Sequence, residues 1–434
     1  MRSPRSGESG SRGVIVNRTR MLSRVFSAEA CEPGEIVIAA DRFTHGSRER
    51  VVCAHSDLLR GSVERSGLRA VVREMRVSPA AIGGLDGAGM AGWALSYELD
   101  PAHCVGFAAF AHAEDVRGAE VAADAIAEWS RALRTRVLVR EGAGAVCTGT
   151  RRLLETVARQ SDGSGERVVV YGAQGCGRAA VKEIHRLGGR LGGEGVAPKP
   201  GDVAVVGPLP LRGEERVVTE AGAPVPVVDA TCERYRAAAD EIGRLSGQGG
   251  HVVLAAPGRE GAAVESLGEA VAGRLTVVSD PGGAESVPVP APGAVGVVLV
   301  PGRAVRPSLA VEGSLRTRFG HVIPQRPATY CWEADDRRDS VRSVAAVVDL
   351  LLVATDAADQ ELDDILSWVP SGTPVRAVGA LRDLEPGWLR SVGPVGVVAT
   401  SNAPPQLAEE LLTGLRLLGP TDTVLRSVST TRVG

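Results

Sequence analysis

From about residue 135 to residue 420, short runs of valine, leucine and alanine alternate with longer amphipathic stretches. Alternation of this kind restricts a chain to parallel sheets covered by helices. Within it one arrangement recurs three times. "AGAVCTGTRRLLETVA" carries Cys147 after an apolar run and before a stretch with Leu153, Leu154, Val157 and Ala158 on one helical face. "VVDATCERYRAAADEI" carries Cys232 before Tyr235, Ala238, Ala239, Ile242 and Leu245. "TYCWEADDRRDSVRSVAAVVDLLLVATD" carries Cys331 before Val341, Val344, Ala345 and Val348. A buried-type strand follows each helix, starting at Val168 in "RVVVYG", Val252 in "HVVLAA" and Leu350 in "DLLLVA", each about 20 residues beyond its cysteine. The repeat is one of architecture rather than of letters.

A chain of 434 residues with 44% hydrophobic content can bury more than one core, so two to four domains or lobes are expected. A net charge of −3 gives no electrostatic footprint for nucleic acid. No apolar run approaches the ~18 residues that span a bilayer, and a soluble, cytoplasmic protein is expected. The first stretch, "MRSPRSGESGSRGVIVNRTR", is basic and rich in serine and glycine without the apolar core of a secretory signal, and residues 1–30 read as a disordered tail. The seven cysteines are Cys31, Cys53, Cys104, Cys147, Cys176, Cys232 and Cys331. An odd count, scattered, argues against a disulfide framework.

After the tail, "CEPGEIVIAADRF" reads as a turn and a strand from Glu35 to Ala40, and "AHSDLLRGSVERSGL" as a helix. "MAGWALSYEL" reads as a second helix leading to the apolar run "CVGFAAFA", and residues 119–133 as a clear amphipathic helix. A boundary near Thr135 then separates a small α/β domain, 31–134, from a larger α/β region, 135–425, whose first strand lies in "RTRVLVREGAG".

Three lobes in succession, each with a cysteine where a strand gives way to a helix, could bring their thiols to one point. A helix N-terminus favours negative charge through its unpaired N–H groups, so each thiol is biased toward thiolate. Three thiolates make a soft-metal site. A structural zinc would want a fourth ligand, and no histidine pair stands near to supply it. Three cysteines can instead hold a cubane iron–sulfur cluster with one iron left open. The competing reading is plain burial, since free cysteine is among the most buried residue types.

The three cysteine segments resemble those of the 4-hydroxy-3-methylbut-2-enyl diphosphate reductase family (IspH/LytB), and "VGVVATSNAPPQLAEELLTGL" resembles its C-terminal segment. The resemblance runs from about residue 138 to 420. It implies three pseudo-threefold-related α/β lobes around a central 4Fe–4S cluster (3Fe–4S when degraded) held by Cys147, Cys232 and Cys331. It also implies two-electron removal of a hydroxyl from an allylic diphosphate, in isoprenoid-precursor synthesis. No dinucleotide or flavin fingerprint is visible, so electrons would come from an external ferredoxin or flavodoxin.

The chain departs from the family where the substrate would bind. A family His-Glu-Ile-Val-His-Asn-like motif reads "YGAQGCGR" here, with Cys176 about where the second histidine falls. Ser-Ala-His-Gly reads "VVGPLPL", with Pro208 in place of the histidine. Gly-His-x-Glu-Val-Glu-Gly reads "APGREGAAVES", with Glu260 near the histidine and Ala262 at the proton-donating glutamate. The Ser-Ser-Asn-Ser diphosphate grip reads "TDAADQEL", which brings in Asp356 and Asp359, and a later serine is Asn402. Carboxylates repel a diphosphate, and loss of the glutamate removes a general acid. New pocket members are sought among Cys176, Glu260, Glu333, Arg337, Asp359, Gln360 and Asn402, with Glu260, Asp359 and Asn402 the catalytic candidates. The plain alternative for Arg337 is an ion pair with Asp336 or Asp339.

Residues 33–134 resemble part of a nucleoside phosphorylase or nucleosidase domain through "PGEIVIAADRF" and "GMAGWALSYEL". That domain's Met-Glu pair reads Met90-Ala91 here, so a docking or scaffold role is expected of it. Two readings of the whole chain follow: an iron–sulfur reductase with an altered substrate pocket, or a non-catalytic cluster-binding scaffold with decayed active sites.

Overall fold

The protein is described from a computed structural model over residues 20–430, apart from 41, 54–55, 79–88, 101–102, 135, 143–145, 165–166, 193–196, 211–216, 220–221, 249, 259–260, 269–274, 288–293, 357–358, 360 and 405. The first elements are β1 (Met21–Ser27), β2 (Glu35–Ala39), β3 (Arg42–His45), β4 (Arg48–Val52), α1 (Ser56–Arg65), β5 (Arg69–Arg73), β6 (Met90–Asp100), β7 (His103–His112) and α2 (Val116–Ala132). Their strands form a mixed seven-stranded sheet of order β1-β6-β7-β2-β5, with β4 against both β3 and β7.

Two expectations for this region are corrected. Within the stretch read as a disordered tail, Met21–Ser27 is a strand, paired with β6 from Met21↔Ser96 to Ser27↔Met90; residues 1–19 lie outside the described residues. "MAGWALSYEL" is not a helix but β6, hydrogen-bonded to β1 on one side and β7 on the other. Its alanines and leucines suit a helix locally, and partners remote in sequence override that preference. Gly92 permits the pairing, since a Cβ there would fall 2.1 Å from the Ala109 carbonyl oxygen. The helix read at 119–133 is α2, capped by Asp115, whose Oδ1 accepts from Gly118 N at 2.8 Å. Trp129 of α2 is fully buried and donates its Nε1–H to Ser62 Oγ at 3.1 Å.

The larger region contains β8 (Val137–Gly142), α3 (Thr148–Ser164), β9 (Arg167–Tyr171), α4 (Arg178–Arg186), β10 (Arg190–Leu191), β11 (Asp202–Val206), β12 (Val227–Asp229), α5 (Glu233–Gly247) and β13 (His251–Ala255). It continues through α6 (Ala262–Gly268), β14 (Leu275–Val278), β15 (Val295–Leu299), α7 (Val305–Arg318), β16 (Val322–Pro324), α8 (Glu333–Ala345), β17 (Leu350–Ala354) and α9 (Glu361–Trp368). It ends with β18 (Val375–Val378), α10 (Pro386–Leu389), β19 (Val395–Ala399), α11 (Leu407–Leu417) and β20 (Thr421–Arg426). Three sheets result among the described residues: β10-β9-β11-β12, β14-β13-β15-β16 and β18-β17-β19-β8-β20. The first two are parallel throughout. Strands β11, β15, β17 and β19 are buried along their whole length, as strands covered on both faces must be.

By compactness the chain falls into two units. One combines the chain up to residue 139 with 380–395 and 409–423; the other holds 140–379, 396–408 and 424–434. In the first unit, Tyr97 donates its hydroxyl to the Leu417 carbonyl at 2.5 Å. Gly61 of α1 lies so close to the Arg382 carbonyl that a Cβ would come within 1.8 Å of its oxygen. The second unit contains the three cysteine segments.

Candidate functional site

Each cysteine occupies the same place in the topology. The chain leaves β8 of the third sheet, passes Cys147 and enters α3, which packs Leu153 and Val157 on Val168, Val170 and Val205 of the first sheet. It leaves β12 of the first sheet, passes Cys232 and enters α5, whose Tyr235, Ala238, Ile242 and Leu245 pack on Val252, Leu254 and Val298 of the second. It leaves β16 of the second sheet, passes Cys331 and enters α8, whose Val341, Val344 and Ala345 pack on Leu351, Val353 and Val398 of the third. The cysteines therefore mark the three crossings from lobe to lobe.

Contacts among the helix starts join these crossings pairwise. Arg152 of α3 pairs with Glu233 at the start of α5 at 2.9 Å. Arg234 of α5 donates to the Ala328 carbonyl, just ahead of Cys331, at 3.0 Å. Glu333, the first residue of α8, accepts from Thr148 N at 3.3 Å and from the Thr148 hydroxyl, at the first residue of α3. Gly149 brings α3 against Cys232: a Cβ there would fall 2.9 Å from Cys232 Cβ and 3.0 Å from its Sγ. Pro208 accepts from Cys232 N through its carbonyl at 2.9 Å and so fixes the backbone of that ligand candidate.

Backbone amides approach the sulfurs. Thr150 N lies 3.4 Å from Cys147 Sγ, the amides of Arg234 and Tyr235 stabilise the Cys232 thiolate, and those of Gly302 and Glu333 the Cys331 thiolate. Burial opposes them and wins. It raises the Cys232 thiol and pushes Cys331 up to about 11. Neighbouring sulfur adds to the rise, Cys147 acting on Cys232 and Cys232 on Cys331.

No group of three His, Cys, Asp or Glu side chains among the described residues is gathered tightly enough to surround one ion. A cubane makes a different demand, because each thiolate binds a separate iron and the sulfurs stand apart. Three soft donors at linked helix starts, each met by an amide N–H, fit such a group.

A second network lies beside Cys147, whose charge is felt by Arg337. Arg337 pairs with Glu361 at 2.8 Å and donates to the Ala399 carbonyl at 2.5 Å. Burial lowers its pKa, with Glu361 and Asp359 opposing. Glu361 also accepts from Ser401 N at 2.7 Å and Ser401 Oγ at 2.6 Å. Asp359 accepts from Asn402 Nδ2 at 2.9 Å and Glu361 N at 3.0 Å. Burial pulls the Asp359 pKa up, but hydrogen bonds from Thr400, Asn402 and the Glu361 amide, with the charge of Arg337, outweigh it and hold the carboxyl below its ordinary range. Asn402 accepts from Arg178 N through its Oδ1 at 2.9 Å, tying this network to the start of α4.

The other candidates divide. Asp356 pairs with Lys182 at 3.1 Å on the surface. Cys176, next to α4, is partly buried, and burial pushes its thiol up to about 12. Ala262 opens α6 and is partly buried. Glu260 and Gln360 lie outside the described residues. Sequence reasoning missed Thr148, Thr150, Glu361 and Thr400. Only Thr150, three residues beyond Cys147 at a helix start, carried a local signal.

Comparison with known proteins agrees with this architecture. The family model described as LytB protein matches residues 137–416. A 4-hydroxy-3-methylbut-2-enyl diphosphate reductase of Zymomonas mobilis is 25% identical over 278 residues, covering 63% of this chain and 80% of the relative. Another so named from Mycobacterium bovis is 27% identical over 298 residues, covering 66% and 88%. The solved structure of the E-1-hydroxy-2-methyl-but-2-enyl-4-diphosphate reductase from Plasmodium falciparum superposes with a TM-score of 0.53 at 14% identity, covering 67% of this chain and 92% of that one. With that three-lobed α/β fold and a match across more than half its length, the chain belongs to the LytB family.

Proposed function

We propose that the second unit binds a 4Fe–4S cluster through Cys147, Cys232 and Cys331 and reductively removes an oxygen substituent from a small substrate. The observation that carries this reading is the closed set of contacts, Arg152–Glu233, Arg234–Ala328 and Thr148–Glu333, which joins the three cysteine-bearing helix starts in pairs. The relatives are reductases acting, by their names, on 4-hydroxy-3-methylbut-2-enyl diphosphate. A bound cluster would supply electrons, two per turnover, drawn from an external donor such as a ferredoxin or flavodoxin.

The residues around the cysteines support an altered substrate. Ala262 offers no proton where the family resemblance calls for a carboxyl group. Asp359 and Glu361 against Arg337 leave a negative excess, so the group accommodated there is neutral or cationic rather than a diphosphate. Residues 31–134, with Met90-Ala91 at the position of a Met-Glu pair, are assigned a docking or scaffold role.

The test is anaerobic purification of the full chain, iron and sulfide analysis, electron paramagnetic resonance of the reduced protein, and a reduction assay with hydroxymethylbutenyl diphosphate. A cluster with slow or no turnover of the diphosphate is expected. A colourless protein carrying zinc instead would overturn the cluster, and rapid turnover would overturn the altered pocket. No helix among the described residues is long and apolar enough to cross a membrane.

A further inference from the structure

A fourth cysteine shares the surroundings of the first three. Cys176 stands two residues before α4, repeating the placement of Cys147, Cys232 and Cys331 ahead of their own helices. The Thr150 hydroxyl lies 3.3 Å from Cys147 Sγ and 3.6 Å from Cys176 Sγ, so one oxygen reaches both sulfurs. The neighbouring residue of α3, Gly149, faces Cys232 Sγ. Three of the four sulfurs thus gather around a single helical turn.

The backbone on either side of Cys176 is held. Its N–H donates to the Ala173 carbonyl at 2.9 Å. After it, Gly177 is wedged so closely that a Cβ would fall 2.6 Å from Asn402 Oδ1 and 2.8 Å from the Ser401 carbonyl oxygen, and Arg178 N donates to Asn402 Oδ1 at 2.9 Å. A cysteine that served only to fill the lobe core needs neither this anchoring nor a hydroxyl shared with Cys147.

We infer that Cys176 is a fourth thiolate ligand, completing around the cluster the set that Cys147, Cys232 and Cys331 leave one short. Four cysteines are the ordinary shell of a cubane. Ligation exchanges the S–H bond for an S–Fe bond and releases the proton to solvent, with no change of oxidation state. The inference rests on the cluster proposed above. It means that the position a substrate oxygen would need is closed in the resting protein and opens only when Cys176 withdraws.

The test is Mössbauer spectroscopy of the full-length wild type reconstituted anaerobically with enriched iron, which needs no variant. Equivalent all-sulfur iron sites are expected, and one distinct iron in four would overturn the inference while leaving the three-cysteine cluster intact. In parallel, wild type and Cys176→Ala are oxidised with one equivalent of ferricyanide and followed by electron paramagnetic resonance and iron analysis. Wild type should keep its iron, and the variant should lose one iron per cluster with the signal of a 3Fe–4S species. Equal formation of that signal in both proteins would overturn the inference. A wild type that takes up no iron would overturn the cluster and the fourth ligand together.

Discussion

Asp359→Asn tests the proposal that negative charge at this site disfavours a diphosphate. Asp359 Oδ1 accepts from Asn402 Nδ2 at 2.9 Å and Glu361 N at 3.0 Å, and an amide oxygen can take over both bonds. The substitution removes the negative charge and asks the Thr355 and Thr400 hydroxyls to turn from donors to acceptors; that charge persists at neutral pH because Thr400, Asn402, the Glu361 amide and Arg337 hold the carboxyl below its ordinary range despite burial. Arg337 cannot offset it fully, being paired with Glu361 at 2.8 Å. Two unit charges 4 Å apart repel by ~1 kcal/mol in water and ~4 kcal/mol at an effective dielectric constant of about 20. Removing one carboxylate should therefore strengthen diphosphate binding by roughly fivefold to several hundredfold. Isothermal titration calorimetry of cluster-loaded wild type and variant with hydroxymethylbutenyl diphosphate, at low and moderate salt, measures it. The gain should shrink as salt rises. Unchanged affinity in a variant that melts like wild type would refute the reasoning, as would tight binding by wild type itself.

Anaerobically prepared protein should be brown with about four irons per chain, and Cys232→Ser should bleach it, whereas Cys176→Ser should hold nearly as much iron; elemental analysis and absorbance check both. Glu333→Ala removes the acceptor at the first residue of α3, a loss of the helix-cap kind worth about 1 kcal/mol. The melting temperature should drop by about 2–4 °C and a chelator should strip iron faster, while Glu333→Gln restores part of both. His45 is fully buried between Ser23 Oγ at 2.7 Å and Ser96 Oγ at 2.8 Å, with Arg48 and Glu98 beside them. Burial and then Arg48 depress its pKa below 6.5, so the unfolded chain binds a proton that the folded one refuses, and stability falls as the pH drops through that value. Thermal melts from pH 7.5 to 5.5 should show a shallower loss for His45→Gln than for wild type, and parallel slopes would dismiss the assignment.

Much of the second unit is legible along the chain because its signals are local. The faces Leu153–Val157, Tyr235–Ile242 and Val341–Val344 recur at helical spacing, and each helix forms where that spacing places it. Locality also explains the failures. Met90–Asp100 carries residues that suit a helix, and only its pairing with Met21–Ser27 and His103–His112 makes it a strand. Arg337 stands next to Asp336 in the chain, yet it reaches Glu361, the first residue of α9, in an ion pair that no local pattern announces.

The sequence by itself determined that three cysteines precede three helices and that each helix is followed by a buried strand, because helical periodicity and strand hydrophobicity act over a few residues. It did not determine which sheet the strand before each cysteine joins. Tertiary structure decided that β8, first in the second region, lies between β19 and β20, almost the last. That pairing makes the passage through Cys147 a crossing from the third lobe to the first, as Cys232 and Cys331 cross from first to second and second to third. The same long-range closure brings Thr148 to Glu333 and Asn402 to Asp359, contacts between segments that share no local pattern. Strand pairing and side-chain contact depend on positions in space, and residues that meet only after the chain closes leave no periodic trace in its order.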